Sequence, residues 1–205
     1  MQDNYALQAA AARKAFLSYD QQALIRKCRL DADEAYLYLR FLGSPYRICR
    51  HTGSLSRLTD SGWIPADSHG EVMTVLDLIC DSDPCRRSAG TYQNMQAFGH
   101  QFHRDLNENQ KNPMADRFQQ DPEGLAHALE ALGGTPFHPG DVAYVVPVFE
   151  DLTLVLQFFL GDEEFAPRIR YLWDENALQY LKYETMYYCV GVLMDRIREQ
   201  MQSIL

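Results

Sequence analysis

Leu152-Thr-Leu-Val-Leu-Gln-Phe-Phe-Leu160 is the stretch on which the fold turns. Leu152, Leu154, Leu156, Phe158 and Leu160 alternate along one side, while Val155 and Phe159 make the other side apolar as well. A strand apolar on both sides belongs in the middle of a covered sheet. Immediately upstream, residues 141–149 form a second β-rich run, joined to the first across Glu150-Asp151. Downstream, after Gly161-Asp-Glu-Glu164, residues 168–173 alternate Arg168 and Arg170 with Ile169 and Tyr171, which reads as a further strand.

Moving outward, residues 36–42 alternate again, with Leu37, Leu39 and Phe41 on one face and Tyr36, Tyr38 and Arg40 on the other. After Gly43-Ser44-Pro45 the run Tyr46-Arg-Ile-Cys-Arg-His51 repeats the pattern, so the pair is expected to form a hairpin. Residues 52–67, rich in Ser, Gly, Thr and Asp, read as loop despite Trp63-Ile64.

Helices surround these strands. Tyr5, Ala9, Ala12 and Phe16 recur at helical spacing over residues 3–18, and Asp20 is placed to cap a short helix reaching Cys28. Ser68-x-x-Glu71 has the form of a capping box, followed by Val72, Val75, Leu76 and Ile79 at i, i+3, i+4 and i+7. Asp121-Pro122 opens another helix that ends at Gly133-Gly134. Asp174 is positioned to cap a last helix from Glu175 toward Met201, about 40 Å long, with a bend expected at Gly191. Residues 81–111 remain mostly irregular, a length that suggests a binding loop, a lid or a hidden helix. The expected fold is a single α+β domain over residues 1–205, a mostly antiparallel sheet packed against helices with a long C-terminal helix.

Composition narrows the function. With 19 Lys and Arg against 28 Asp and Glu, the formal charge of −9 disfavours duplex nucleic acid as a partner. Fifteen of the cations are arginines, whose planar forks suit carboxylates or phosphates. No run of residues reaches the length of a membrane span, and the N-terminus lacks the pattern of a secretory signal. Five scattered cysteines in a chain of 205 residues suit reduced thiols, so a cytoplasmic location is expected.

Four constellations could carry chemistry. Cys80-x4-Cys85 with His100-x2-His103 supplies zinc-type donors, although the histidine spacing is shorter than that of finger sites. Acidic residues gather at Asp162, Glu163 and Glu164, at Asp174 and Glu175, and at Glu184, the last among Tyr180, Tyr183, Tyr187 and Tyr188, where a carboxylate would have a raised pKa or an Arg partner. The hairpin offers Arg40, Arg47 and Tyr38 as an anion-binding set, with Arg50 pointing away from Arg47; a solvated sheet face would account for the same residues. Cys49 and His51 could pair as thiolate and imidazole, or simply lie buried. No phosphate loop, nucleophile elbow, dinucleotide fingerprint or His-Glu-x-x-His is present.

Leu132-Gly133-Gly134 through Gly140-Asp141, Pro147-Val148, Phe159-Leu-Gly-Asp-Glu-Glu-Phe165, and Leu172-Trp-Asp174 with Tyr180-Leu181 and Glu184 resemble the prokaryotic family called domain of unknown function 3786. The resemblance is best over residues 130–185, weaker at Phe41-Leu-Gly43 and over residues 72–79, and residues 81–111 depart from it. It implies a soluble prokaryotic α+β protein, in a family some of whose members are joined to, or encoded beside, iron–sulfur and corrinoid-linked proteins; the closely spaced cysteines of an iron–sulfur domain are missing from this chain. It transfers no catalytic residue and names no cofactor. The expected function is a ligand- or partner-binding module acting on a small anionic molecule or a protein, the alternative being a metal-dependent enzyme built on the Cys/His set or on carboxylates near Asp162 and Glu184.

Overall fold

Hydrogen-bonding side chains set the helix starts. The computed structural model describes residues 4–99 and 113–203. Asp20 accepts the backbone N–H groups of Gln22 and Ala23 to open α2 (Gln21–Cys28), which follows α1 (Asn4–Ser18). Ser68 accepts the Glu71 N–H to open α3 (His69–Cys80), the first half of the expected capping box, while the Glu71 carboxylate accepts from the Ser68 hydroxyl. Asp121 does the same for Gly124, with Pro122 in the first turn of α5 (Pro122–Ala131), behind the short α4 (Pro113–Gln120).

The strands fall into two five-stranded sheets, every pairing antiparallel. The first runs in chain order: β1 (Asp31–Ala32), β2 (Tyr36–Phe41), β3 (Ser44–Cys49), β4 (Leu55–Thr59) and β5 (Gly62–Pro65). The β2–β3 turn is two residues, Leu42 and Gly43, with φ of 47° and 73°, the left-handed pair that matches the strand twist. The expected loop at residues 52–67 is instead the β4–β5 hairpin. Its polar residues lie on strands whose shared face is only partly covered, so composition masked the pairing.

The second sheet has the order β6 (Tyr92–Asn94), β10 (Arg168–Asp174), β9 (Leu152–Phe159), β8 (Val142–Phe149), β7 (Thr135–Pro136). The doubly apolar strand is central, as its sequence requires, and Leu152, Leu154, Leu156 and Phe158 are fully buried. Of residues 81–111, Tyr92–Asn94 is an edge strand and Met95–Phe98 a 3-10 turn, while the remainder from residue 100 lies outside the described residues.

The long C-terminal helix α6 (Tyr183–Ser203) begins later than expected. Asp174 does not cap it: that residue ends β10, opposite Tyr92, and its carboxylate is taken by the Ser88 hydroxyl and the N–H groups of Ala89 and Gly90. A 3-10 turn at Ala177–Gln179 intervenes, and Asp77 of α3 accepts the Lys182 N–H ahead of the first turn of α6. The helix runs unbroken through Gly191, which faces open space.

Contacts divide the α+β chain into two compact units. One takes the chain up to Arg87 together with Asn176–Leu193, and the other takes Ser88–Glu175 with the chain from Met194 onward. In the first unit α1 and α2 pack on α3, and Tyr46, buried under the first sheet, donates its hydroxyl to Glu71 at 2.7 Å. In the second, α5 packs on β8, and Phe118 of α4 meets Phe158 edge-on.

Candidate functional site

Alternation along β2 sends Leu37, Leu39 and Phe41 into the core and leaves Tyr36, Tyr38 and Arg40 on the outer face. Register then decides who joins them. Tyr36 stands opposite Cys49, Tyr38 opposite Arg47, and Arg47 opposite Ser56; two residues on, Leu58 stands opposite Trp63 of β5. The outer face therefore carries Tyr36, Tyr38 and Arg40 on β2, Arg47 and Cys49 on β3, Leu58 on β4 and Trp63 on β5.

Arg47 is the centre of this face. Its Cζ lies 4.2 Å from the centroid of Tyr36, on the neighbouring strand to one side, and 4.5 Å from that of Trp63, which reaches in from the other. Both distances are within the range of cation–π attraction. The small Ser56 between β3 and β5 leaves room for the indole. Arg47 Nε is buried without a hydrogen-bond partner, and the guanidinium has no carboxylate partner among the described residues. Planar guanidinium donors of this kind are of the type that suits the oxygens of a carboxylate or phosphate.

The neighbours are more occupied. Tyr38 donates its hydroxyl to Asp33 at 2.7 Å, and the Asp33 carboxylate also accepts the N–H groups of Ala35 and Tyr36. The Tyr38 hydrogen bond, followed by the two backbone donors, lowers the Asp33 pKa, and the same bond raises that of Tyr38. Arg40 donates to the Gly43 carbonyl at 2.7 Å and so braces the turn, while Arg50, beyond the end of β3, donates to Gln21 and to the Asp33 carbonyl. The Thr52 hydroxyl lowers the Cys49 pKa, helped by the N–H groups of His51 and Thr52; His51 itself is exposed in the turn.

Tyr38, Arg40 and Arg47 are thus brought onto one face. Glu184 stands elsewhere, exposed in the first turn of α6 rather than buried among tyrosines, where a carboxylate suits the helix N-terminus. Asp162 belongs to the second unit, on a surface concavity of about 820 Å³ lined also by Asp116, Gln119, Glu163, Glu164 and Phe165. Its carboxylate closes its own turn by accepting the Glu164 and Phe165 N–H groups, which lower its pKa. Cys80 ends α3 with its thiol pushed up to about 12 by burial, and Cys85 is exposed in the following turn. His100 and His103 lie outside the described residues, and among the described residues no three His, Cys, Asp or Glu side chains group as a metal site. The residue that sequence reasoning missed is Trp63. The signal was present in Asp60-Ser61-Gly62, a turn set between Leu58 and Trp63-Ile64.

A family model described as Domain of unknown function (DUF3786) matches residues 20–196 of the 205. The chain belongs to the DUF3786 family. The DUF3786 match extends the resemblance of residues 130–185 in both directions and takes in the whole first sheet, including Arg47 and Trp63; α1 lies outside it. No curated protein and no solved structure matches the chain.

Proposed function

We propose that this DUF3786 protein is a ligand- or partner-binding module that captures an oxyanion on the outer face of the β1–β5 sheet, without catalytic chemistry of its own. The observation that carries the reading is Arg47, held between Tyr36 and Trp63 with no side-chain hydrogen-bond or ion-pair partner among the described residues. Pre-ordering the guanidinium lowers the side-chain entropy lost on binding, so even a small anion gains from it. We further propose that the two compact units work as one α+β domain, a reading supported by the single family match that runs through both. None of the five cysteines forms a disulfide, in keeping with a reducing compartment, and the cytoplasm is the proposed location.

The test is a fluorescence titration with inorganic phosphate, acetate and citrate. The chain has two tryptophans; Trp173 is fully buried, so a response to added anion reports Trp63. Wild-type protein is expected to respond saturably to at least one anion. Arg47→Ala should weaken that response by roughly tenfold to a hundredfold, the loss of a charge-assisted hydrogen bond of about 1.5–3 kcal/mol. A response unchanged in Arg47→Ala would overturn the reading.

A further inference from the structure

We infer that the occupant of this face is a protein partner that lays an extended segment across the sheet and presents one Asp or Glu carboxylate to Arg47. The inference rests on the oxyanion reading above and names the source of the anion.

Three features lead to it. With a ring against the guanidinium on either side and Nε buried, the terminal N–H groups are the part of Arg47 left to bond, and a paired edge of donors matches the two oxygens of a carboxylate. Around that edge the surface is aromatic and apolar: Tyr36, Tyr38 and Trp63 are half-buried, and Leu58 is 39% exposed. Arginine, tyrosine and tryptophan together are the residue types that dominate protein interfaces, and β2 to β5 pair in register without a bulge, a pleated plane suited to a chain segment more than to an enclosed small molecule. The third feature is charge. Asp31 stands opposite Tyr38 on the edge strand, and Asp33 and Glu34 follow it, all exposed. This acidic rim lies two strand spacings from Arg47, about 10 Å, close enough to repel a second negative charge. A polyanion is disfavoured on that side, and with Arg40 turned to the Gly43 carbonyl a single carboxylate within an apolar sequence fits.

The experiment follows Trp63 fluorescence of the full chain with three peptides and with acetate: a nonapeptide holding one central Glu between Leu and Phe, the same peptide with Gln, and a penta-Glu peptide. The single-Glu peptide is expected to bind at least tenfold more tightly than the Gln peptide, penta-Glu and acetate. Arg47→Gln should erase the Glu-over-Gln preference. Leu58→Ser, at an exposed position that tolerates a polar side chain, should weaken the peptide severalfold and acetate by less. If acetate or phosphate acts through Arg47 but the single-Glu peptide binds no better than they do, the protein partner is overturned and the oxyanion site stands. If penta-Glu binds most tightly, the acidic rim has been misjudged and the inference falls. If no probe gives an Arg47-dependent response, both readings fall.

Discussion

Asp174 shows how one buried charge organises its surroundings. It is wholly inaccessible, and its oxygens accept the Ser88 hydroxyl and two successive N–H groups from Ala89 and Gly90, which leaves the segment entering the second unit tied to the end of β10. Asp174→Asn would set an amide's own donors against these donors, and we expect a loss of about 2–3 kcal/mol in urea unfolding, with Ser88→Ala costing less. The sequence made Asp174 visible as a helix cap, but its partners lie more than eighty residues away, beyond the reach of any local pattern. The same holds for Lys182, which bridges Asp77 and Asp81 while Tyr19 also donates to Asp81. Burial raises the Asp81 pKa, but the hydrogen bonds from Lys182 and Tyr19 outweigh it and leave the carboxyl below its usual value. Burial likewise lowers that of Lys182, and the bond to Asp81 with the charge of Asp77 reverses this, to about 12. The two signs differ. The contribution of Asp81 is present above the ordinary carboxylate pKa and is lost as pH falls through its depressed value; that of Lys182 is present below 10.5 and is lost as pH rises through about 12. Tyr19, also raised to about 12 by its bond to Asp81, adds to the alkaline loss. Wild-type stability should therefore fall more steeply than that of Lys182→Met between pH 10.5 and 12. Parallel curves would remove the cluster from the account.

Among elements, the hairpins were legible where alternation and a turn residue coincide and illegible where polar composition hid them. Leu37, Leu39 and Phe41 declared β2, and Gly43 its turn; in β4 and β5 the run of Ser, Arg, Thr and Asp looked like loop because only Leu55 is fully buried there. The start of α6 was misread for a different reason: residues 175–182 have no breaker, and what delays the helix is the engagement of Asp174 with another part of the chain. The two hairpin turns also differ in strain. Leu42 takes a left-handed φ of 47° while fully buried, so its packing offsets the conformational cost. Glu150, at φ 51° between β8 and β9, is exposed and has no such compensation from burial. Replacing Glu150 by Asn, which tolerates this region, should raise stability by about 0.5–1 kcal/mol, read as a higher thermal midpoint, whereas Gly43→Ala should lower it by a similar amount.

At the scale of the whole molecule, the α+β class and the family were open to sequence reading because both rest on repeated local signals. The grouping of strands into two sheets was not, since every strand looks alike to a periodicity argument and only pairing separates them. The candidate site was half visible. Arg40, Arg47 and Tyr38 were placed on one hairpin, but Trp63, which completes the cradle, comes from a strand that looked like loop. The thiols offer a check on the whole architecture. Cys85 is exposed, and the Thr52 hydroxyl lowers the Cys49 pKa, whereas Cys28 and Cys189 are buried and desolvation raises that of Cys189 well above the thiol range. Ellman's reagent should modify Cys85 and Cys49 quickly and Cys189 only as fast as the native state opens. Native-state labelling of Cys189 at the rate of Cys85 would contradict the packing of α6.

The division of the chain between its two units bears on biosynthesis. The first unit is interrupted by the second and resumes only at Asn176, and the second in turn needs residues from Met194 onward. A nascent chain emerging N-terminus first thus holds the hairpins of the first sheet for some ninety residues before the segment that finishes their unit leaves the ribosome. Completing the first unit thus depends on contacts of long sequence separation, the kind whose loop-closure cost slows folding.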